Sequence, residues 1–228
     1  MANKILVIGE SGSGKSTSTM NLDPKTTFYI NCINKPLPFR GWKANYTNIK
    51  VDKDKGNMFC GWRSEEVLYA LKYVNEKRAD IKVVVIDDAQ YIMGYEFMER
   101  ATEKGYDKFS EMGKHYFEVA IAPDKMRDDL TVVYLSHCED VNANGYTKTK
   151  CKTLGKMLDS NITIEGLFTI VLIAKSMKNS EKKMEYIFVT QNDGTTTAKS
   201  PMGMFQTITI PNDLKLVIDD MDKYNRGE

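Results

Sequence analysis

The stretch Gly9-Glu10-Ser11-Gly12-Ser13-Gly14-Lys15-Ser16 follows the apolar run Ile5–Ile8 and opens onto Thr17. Its spacing, Gly-x-x-x-x-Gly-Lys-Ser after a strand and before a helix, restricts the fold more than any other feature. The glycines let backbone N–H groups turn inward around an oxyanion. A helix beginning near Lys15 adds its positive dipole end. Lys15 brings a full charge to phosphate oxygens, and the Ser16 hydroxyl suits Mg²⁺, a hard cation that prefers oxygen. The phosphate-holding set is therefore Gly9 to Thr17. The bland alternative is a glycine-rich strand–helix turn with no ligand.

Such a loop belongs in an α/β sheet, and the chain alternates accordingly. Ile5–Ile8, Thr27–Asn31, Val83–Ile86, Thr131–Ser136 and Phe168–Ala174 read as buried parallel strands. Met184–Thr190 adds a strand antiparallel to its predecessor across a polar turn. Helices are expected after Ser64 as N-cap, over Phe109–Ala122 before Pro123, and from Asn212 or Asp213 to about Tyr224. Asp23-Pro24 stops the helix after the glycine loop early. Two stretches, Ile33–Cys60 and Cys138–Asn161, lack regular period. The 228 residues are enough for one domain spanning 1–228.

A net charge of +1 announces no global field for nucleic acid or membrane. Cys32, Cys60, Cys138 and Cys151 have no CxxC spacing, which argues against a metal cluster or disulfide framework and suits a reducing cytoplasm. The N-terminus enters the first strand pattern directly, leaving no room for a signal peptide. The run Leu167–Ala174 is far short of the ~20 residues a membrane span needs.

A nucleotide site needs an acidic residue at the end of another buried strand. Val83-Val84-Val85-Ile86-Asp87-Asp88 supplies two. Asp87 takes the Walker B place, binding Mg²⁺ through water. Asp88 takes the place where many ATPases carry a glutamate that polarises the attacking water, although it is one methylene short. It reads alternatively as a helix N-cap or surface carboxylate. Thr131–Ser136 suits the strand lying between the phosphate-loop and Walker B strands. His137 or Ser136 at its end senses the γ-phosphate, or simply hydrogen-bonds at the sheet end.

With GESGSGKS, VVVIDDAQ, VVYLSH and the late lysine in QNDGTTTAKSPMGMF, the chain resembles phage-encoded RecA-like or AAA-type ATPases, some of which accompany single-strand annealing recombination. The resemblance runs from about Lys4 to Phe205. It implies a RecA-like P-loop core, a mostly parallel sheet flanked by helices with an antiparallel extension, ATP and Mg²⁺ as cofactors, and a homo-oligomer. It also implies single-stranded DNA or a protein that binds it as partner, and the host cytoplasm as location. By that likeness the loop after the sensor strand meets DNA through Lys148, Lys150, Lys152 and Lys156 around Tyr146. Lys199 either reaches the γ-phosphate of the next subunit, a role Lys150 or Lys152 can also fill, or is a solvent-exposed turn lysine. One departure stands out: RecA-type enzymes carry a glutamate after the second strand, where this chain has Asn31-Cys32. A P-loop small-molecule kinase and a nucleotide-dependent scaffold with little hydrolysis remain the rival readings.

Overall fold

The computed structural model describes residues 1–52, 55–143, 145–154 and 162–228. Among the described residues nine strands join in one mixed sheet. They are β1 (Asn3–Gly9), β2 (Thr27–Asn31), β3 (Met58–Cys60), β4 (Val83–Asp87), β5 (Thr131–Ala143), β6 (Tyr146–Cys151), β7 (Ile170–Lys178), β8 (Met184–Val189) and β9 (Thr209–Pro211). The order across the sheet is β3-β2-β4-β5-β1-β7-β8-β9, with β6 paired to β5. Strands β1 to β5 and β7 pair in parallel, whereas β6, β8 and β9 join antiparallel. This is the α/β P-loop core with an antiparallel extension that the sequence leads one to expect. β5 lies between β1 and β4, as the sensor-strand reading requires.

The helices are α1 (Trp42–Asn45), α2 (Ser64–Lys77), α3 (Tyr91–Glu99), α4 (Asp107–Ile121) and α5 (Leu214–Arg226). Both faces of the central strands β1, β2 and β4 are covered, which is why these strands are apolar runs. Leu6 and Ile8 of β1 pack in one core with Val67, Leu71 and Val74 of α2, Ile92 of α3 and Val119 of α4. Ile5 and Val7 face the other core, where Leu214, Val217, Ile218 and Met221 of α5 lie. Each of those four α5 side chains contributes roughly 1.5–3 kcal/mol by burial. Asp213 caps α5 by accepting the Lys215 N–H at 2.9 Å, and Gly227 ends it in the left-handed conformation.

The structure corrects three local expectations. First, no α-helix starts at Lys15; a single 3₁₀ turn, Thr17–Thr19, follows the loop. The Ser18 hydroxyl donates to the Lys15 carbonyl at 2.6 Å and Thr19 to that of Ser16 at 2.8 Å. Hydroxyls placed this way compete with helical hydrogen bonding. Second, Cys138–Asn161 is not wholly irregular: β5 continues to Ala143 and turns back as β6, in register from Ala143↔Tyr146 to Cys138↔Cys151. Lys156, Asn161 and the side chain of Tyr146 lie outside the described part of the chain. Third, the N-cap of α2 is Arg63, with extended backbone, and Ser64 is already inside the helix. Among its described residues, the stretch Ile33–Cys60 holds the short α1 and β3. All four cysteines are free, and among the described residues no helix is long and apolar enough to cross a membrane.

Candidate nucleotide site

The carboxyl ends of β1, β4 and β5 meet at one edge, where ligands of open α/β sheets bind. Register aligns Gly9 with His137 on one side and with Ala174 on the other. Gly9 tolerates no side chain: a Cβ there would lie 2.6 Å from both the Ala174 carbonyl oxygen and Ser13 Oγ. Gly14 has φ +91°, in the left-handed region that favours glycine. The loop therefore arches tightly over the strand end. It borders a cleft of about 820 Å³ that also touches Lys35, Asp88 and His137. Glu10 and Ser13 face a smaller cleft on the other side of the loop.

Lys15 is only 6% exposed, more buried than a loop–helix junction suggests. Its Nζ donates to the Gly9 and Glu10 carbonyls, each at 2.8 Å. Burial pulls its pKa below the usual lysine value, although the nearby Asp88 works the other way. The ammonium is thus held at the loop by carbonyls weaker than a phosphate as acceptors.

Asp87, at the end of β4, is fully buried beneath the cleft. Ser16 Oγ donates to its Oδ1 at 2.8 Å and the Tyr29 hydroxyl to its Oδ2 at 3.1 Å. Burial, helped by the charge of Asp88, pushes its carboxyl up to about 6. A hydroxyl and a carboxylate in contact are hard-oxygen donors of the kind that fits Mg²⁺.

Asp88 has φ +58°, uncommon for a residue with a side chain but tolerated by Asp. Its carboxylate is 2% exposed and makes an ion pair with Lys35 through Oδ2. His137 Nε2 lies 3.5 Å from its Oδ1. Burial raises the Asp88 pKa, but hydrogen bonds from His137 and Lys35 outweigh it and hold the carboxyl below the usual range. Asp88 is neither an N-cap nor a surface group: the N-cap of α3 is Gln90. The Gln90 side-chain carbonyl accepts the His137 backbone N–H at 2.7 Å, and the Tyr91 ring packs edge-on against the imidazole.

The fold thus gathers the loop, Ser16, Asp87, Asp88 and His137 at one edge. It does not bring Lys199 there. Lys199 pairs backbone to backbone with Val171, N–O distances 2.8 and 2.9 Å. Val171 precedes Ala174, the neighbour of Gly9, by three residues, about 10 Å along the strand. Lys199 is therefore well below the sheet end where the sequence suggested it. Sequence reasoning also missed Lys35 and the Tyr29 hydroxyl. The Asn-Lys-Pro-Leu-Pro turn after β2 was the available signal for Lys35, since it follows a strand that ends next to β4.

Residues 2–111 match the family model of an AAA domain. No curated protein gives a significant match to the chain. The matched stretch carries the phosphate loop, β4 with Asp87, and Asp88, and it supports an AAA-type P-loop ATPase.

Proposed function

We propose that the chain is a Mg²⁺-dependent ATPase acting with single-stranded DNA, or a protein bound to it, as a homo-oligomer. One observation carries the ATPase reading. A phosphate-loop lysine, Ser16 and an ionised carboxylate, Asp88, line one cleft, and Ser16 donates to the buried Asp87 behind it. The loop N–H groups and Lys15 Nζ hold the β- and γ-phosphates, Lys15 exchanging its two carbonyl acceptors for phosphate oxygens. Ser16 and Asp87 would hold Mg²⁺, which would offset the phosphate charge. Asp88 orients a water on the γ-phosphorus and accepts its proton at Oδ1. The new bond forms from the water oxygen, and the bond to the β,γ-bridging oxygen breaks with its electron pair leaving on ADP. His137, 3.5 Å from that same oxygen of Asp88, registers the change.

The DNA partner rests on the β5–β6 hairpin. Lys148 and Lys150 lie along it, and exposed Lys152 follows. The Lys152 backbone N–H donates to the His137 carbonyl at 2.9 Å, tying the basic hairpin to the sensor position. Lysines of this kind track a phosphate backbone. A second reading, a nucleotide-dependent scaffold with little hydrolysis, is favoured by the Lys35–Asp88 ion pair, which occupies the base. Steady-state ATP turnover with and without oligo-dT tests the proposal. Stimulation by DNA is expected. Tight ATP binding without turnover in either condition favours the scaffold, and dependence on a small-molecule acceptor favours a kinase.

A further inference from the structure

The cleft has a second end that the phosphate chemistry leaves unused. Asp88 directly follows β4 and His137 lies in β5, on one side of β1, whereas Tyr186, Pro211 and Asn212 belong to β8 and β9 or directly follow them, on the other. Beyond Ala174 strand β7 leaves the core: its last four residues are exposed, and β8 rises beside it, with Ser176 opposite Tyr186. This overhang carries Tyr186, 45% exposed, and Met184, 51% exposed, into the wall of the cleft. The Tyr186 ring rests against the phosphate loop, its Cδ1 3.0 Å from where a Cβ on Gly14 would be. Met20, 54% exposed, borders the same cleft. Exposed aromatic and thioether groups beside a polar loop are a stacking surface suited to a flat ligand.

A second, independent observation points the same way. Asn212 Nδ2 is shut off from solvent and has no hydrogen-bond partner among the described residues. Its carboxamide touches the same Gly14 position, and its backbone N–H donates to the Tyr186 carbonyl at 3.2 Å. Buried donors without a partner are rare in folded proteins, and each calls for an explanation, of which a bound group is one. The β8–β9 side thus combines a π-face with an unspent N–H donor, next to a loop built for phosphates.

We propose that Tyr186 and Asn212 form a nucleoside subsite, in which the Tyr186 ring stacks on the base and Asn212 Nδ2 donates to the nucleoside. The subsite rests on the phosphate-loop reading, since the phosphates fix where the nucleoside lies. Stacking grows with ring area, so a purine is preferred over a pyrimidine. The reacting γ-phosphate then faces Lys35, Asp88 and His137, and the base lies across β1 from them.

Binding of ATP, CTP and inorganic tripolyphosphate to the whole chain tests the subsite. Tyr186→Ala is expected to weaken ATP about tenfold, the worth of one base–aromatic stack, to erase the preference for ATP over CTP, and to leave tripolyphosphate unchanged. Tyr186→Phe keeps the ring and is expected to bind ATP as the wild type does. Asn212→Ala is expected to weaken ATP while melting at or above the wild-type temperature, because it removes an orphaned donor. Equal losses of ATP and tripolyphosphate in Tyr186→Ala, or no loss of either, overturn the assignment. Failure of the phosphate-loop reading has a separate signature: Lys15→Ala then binds tripolyphosphate as tightly as wild type, and the subsite falls with it.

Discussion

Lys35 and Asp88 are 53 residues apart in the chain and form an ion pair in the fold. That pair decides what removing either partner does. Lys35→Met leaves a carboxylate only 2% exposed without its ion-pair partner, with His137 at 3.5 Å and the Lys15 charge nearby. Breaking a fully buried pair costs ~3–5 kcal/mol, but the Lys35 side chain is 39% exposed, so about 1–2 kcal/mol is expected. Asp88→Asn combined with Lys35→Met is expected to be more stable than the sum of the two single changes, as a denaturant double-mutant cycle reads. Additive losses would mean that the pair is not formed in solution. Asp88→Asn is further expected to keep ATP binding while turnover falls roughly 10²–10⁴-fold; normal turnover would place the base elsewhere. Asp87 and Asp88 were legible because a strand pattern ending in two acids is a local signal. Lys35 was not, since what gives it a role is the adjacency of β2 and β4 in the sheet. In the sequence Tyr29 is simply strand interior, because its hydroxyl meets Asp87 through space.

At the scale of elements, the six strands found from apolar runs all exist. For β1, β2 and β4 this is because burial on both faces leaves a run with almost no charged residue, whereas β8 is mostly exposed. The β5–β6 hairpin escaped that rule. Past Ser136 it runs away from the core, so its residues are polar and mixed in burial and carry no period. The sequence pair Asn-Gly at 144–145 was the usable clue, with Gly145 at φ +87°. The turn after the phosphate loop misled in the opposite sense: Ser16 to Thr19 follow a motif that usually opens a helix, yet the Ser18 and Thr19 hydroxyls bind back to the chain. Anion binding there rests on loop N–H groups and Lys15 rather than on a long helix dipole. For the hairpin, neutralising Lys148, Lys150 and Lys152 together is expected to weaken single-stranded DNA binding. It should also flatten the log K against log salt slope by about 2, at ~0.7 per phosphate contact. Lys150 is bridged to Glu139 at 3.2 Å, so its share of that loss is the smallest expected of the three. An unchanged slope would make these lysines a solubility feature.

For the whole molecule, the likeness to P-loop ATPases leads one to expect one strand between the phosphate-loop strand and the strand that ends in two acids. Placing β5 between them puts His137 beside Asp88, and the sheet has that order. Nothing in the sequence foretold the overhang of β7 and β8 or where the late lysine falls, since both depend on pairings at the far edge. Lys199, remote from its own cleft, is expected to act on a neighbouring chain. Mixing Asp88→Asn with Lys199→Ala is then expected to restore turnover at sites that combine an intact Asp88 with a neighbour's Lys199. Mixed oligomers that stay inactive, or a dilute monomer at full rate, would contradict this. The central claim, that this cleft holds ATP through the phosphate loop with Mg²⁺ on Ser16 and Asp87, is tested most directly by calorimetric titration of ATP with Mg²⁺ or with EDTA. The expected result is binding by the wild type, a loss of more than about tenfold in Lys15→Ala, and a Mg²⁺ dependence that Asp87→Ala abolishes. Equal ATP affinity in wild type and in a folded Lys15→Ala chain would contradict it.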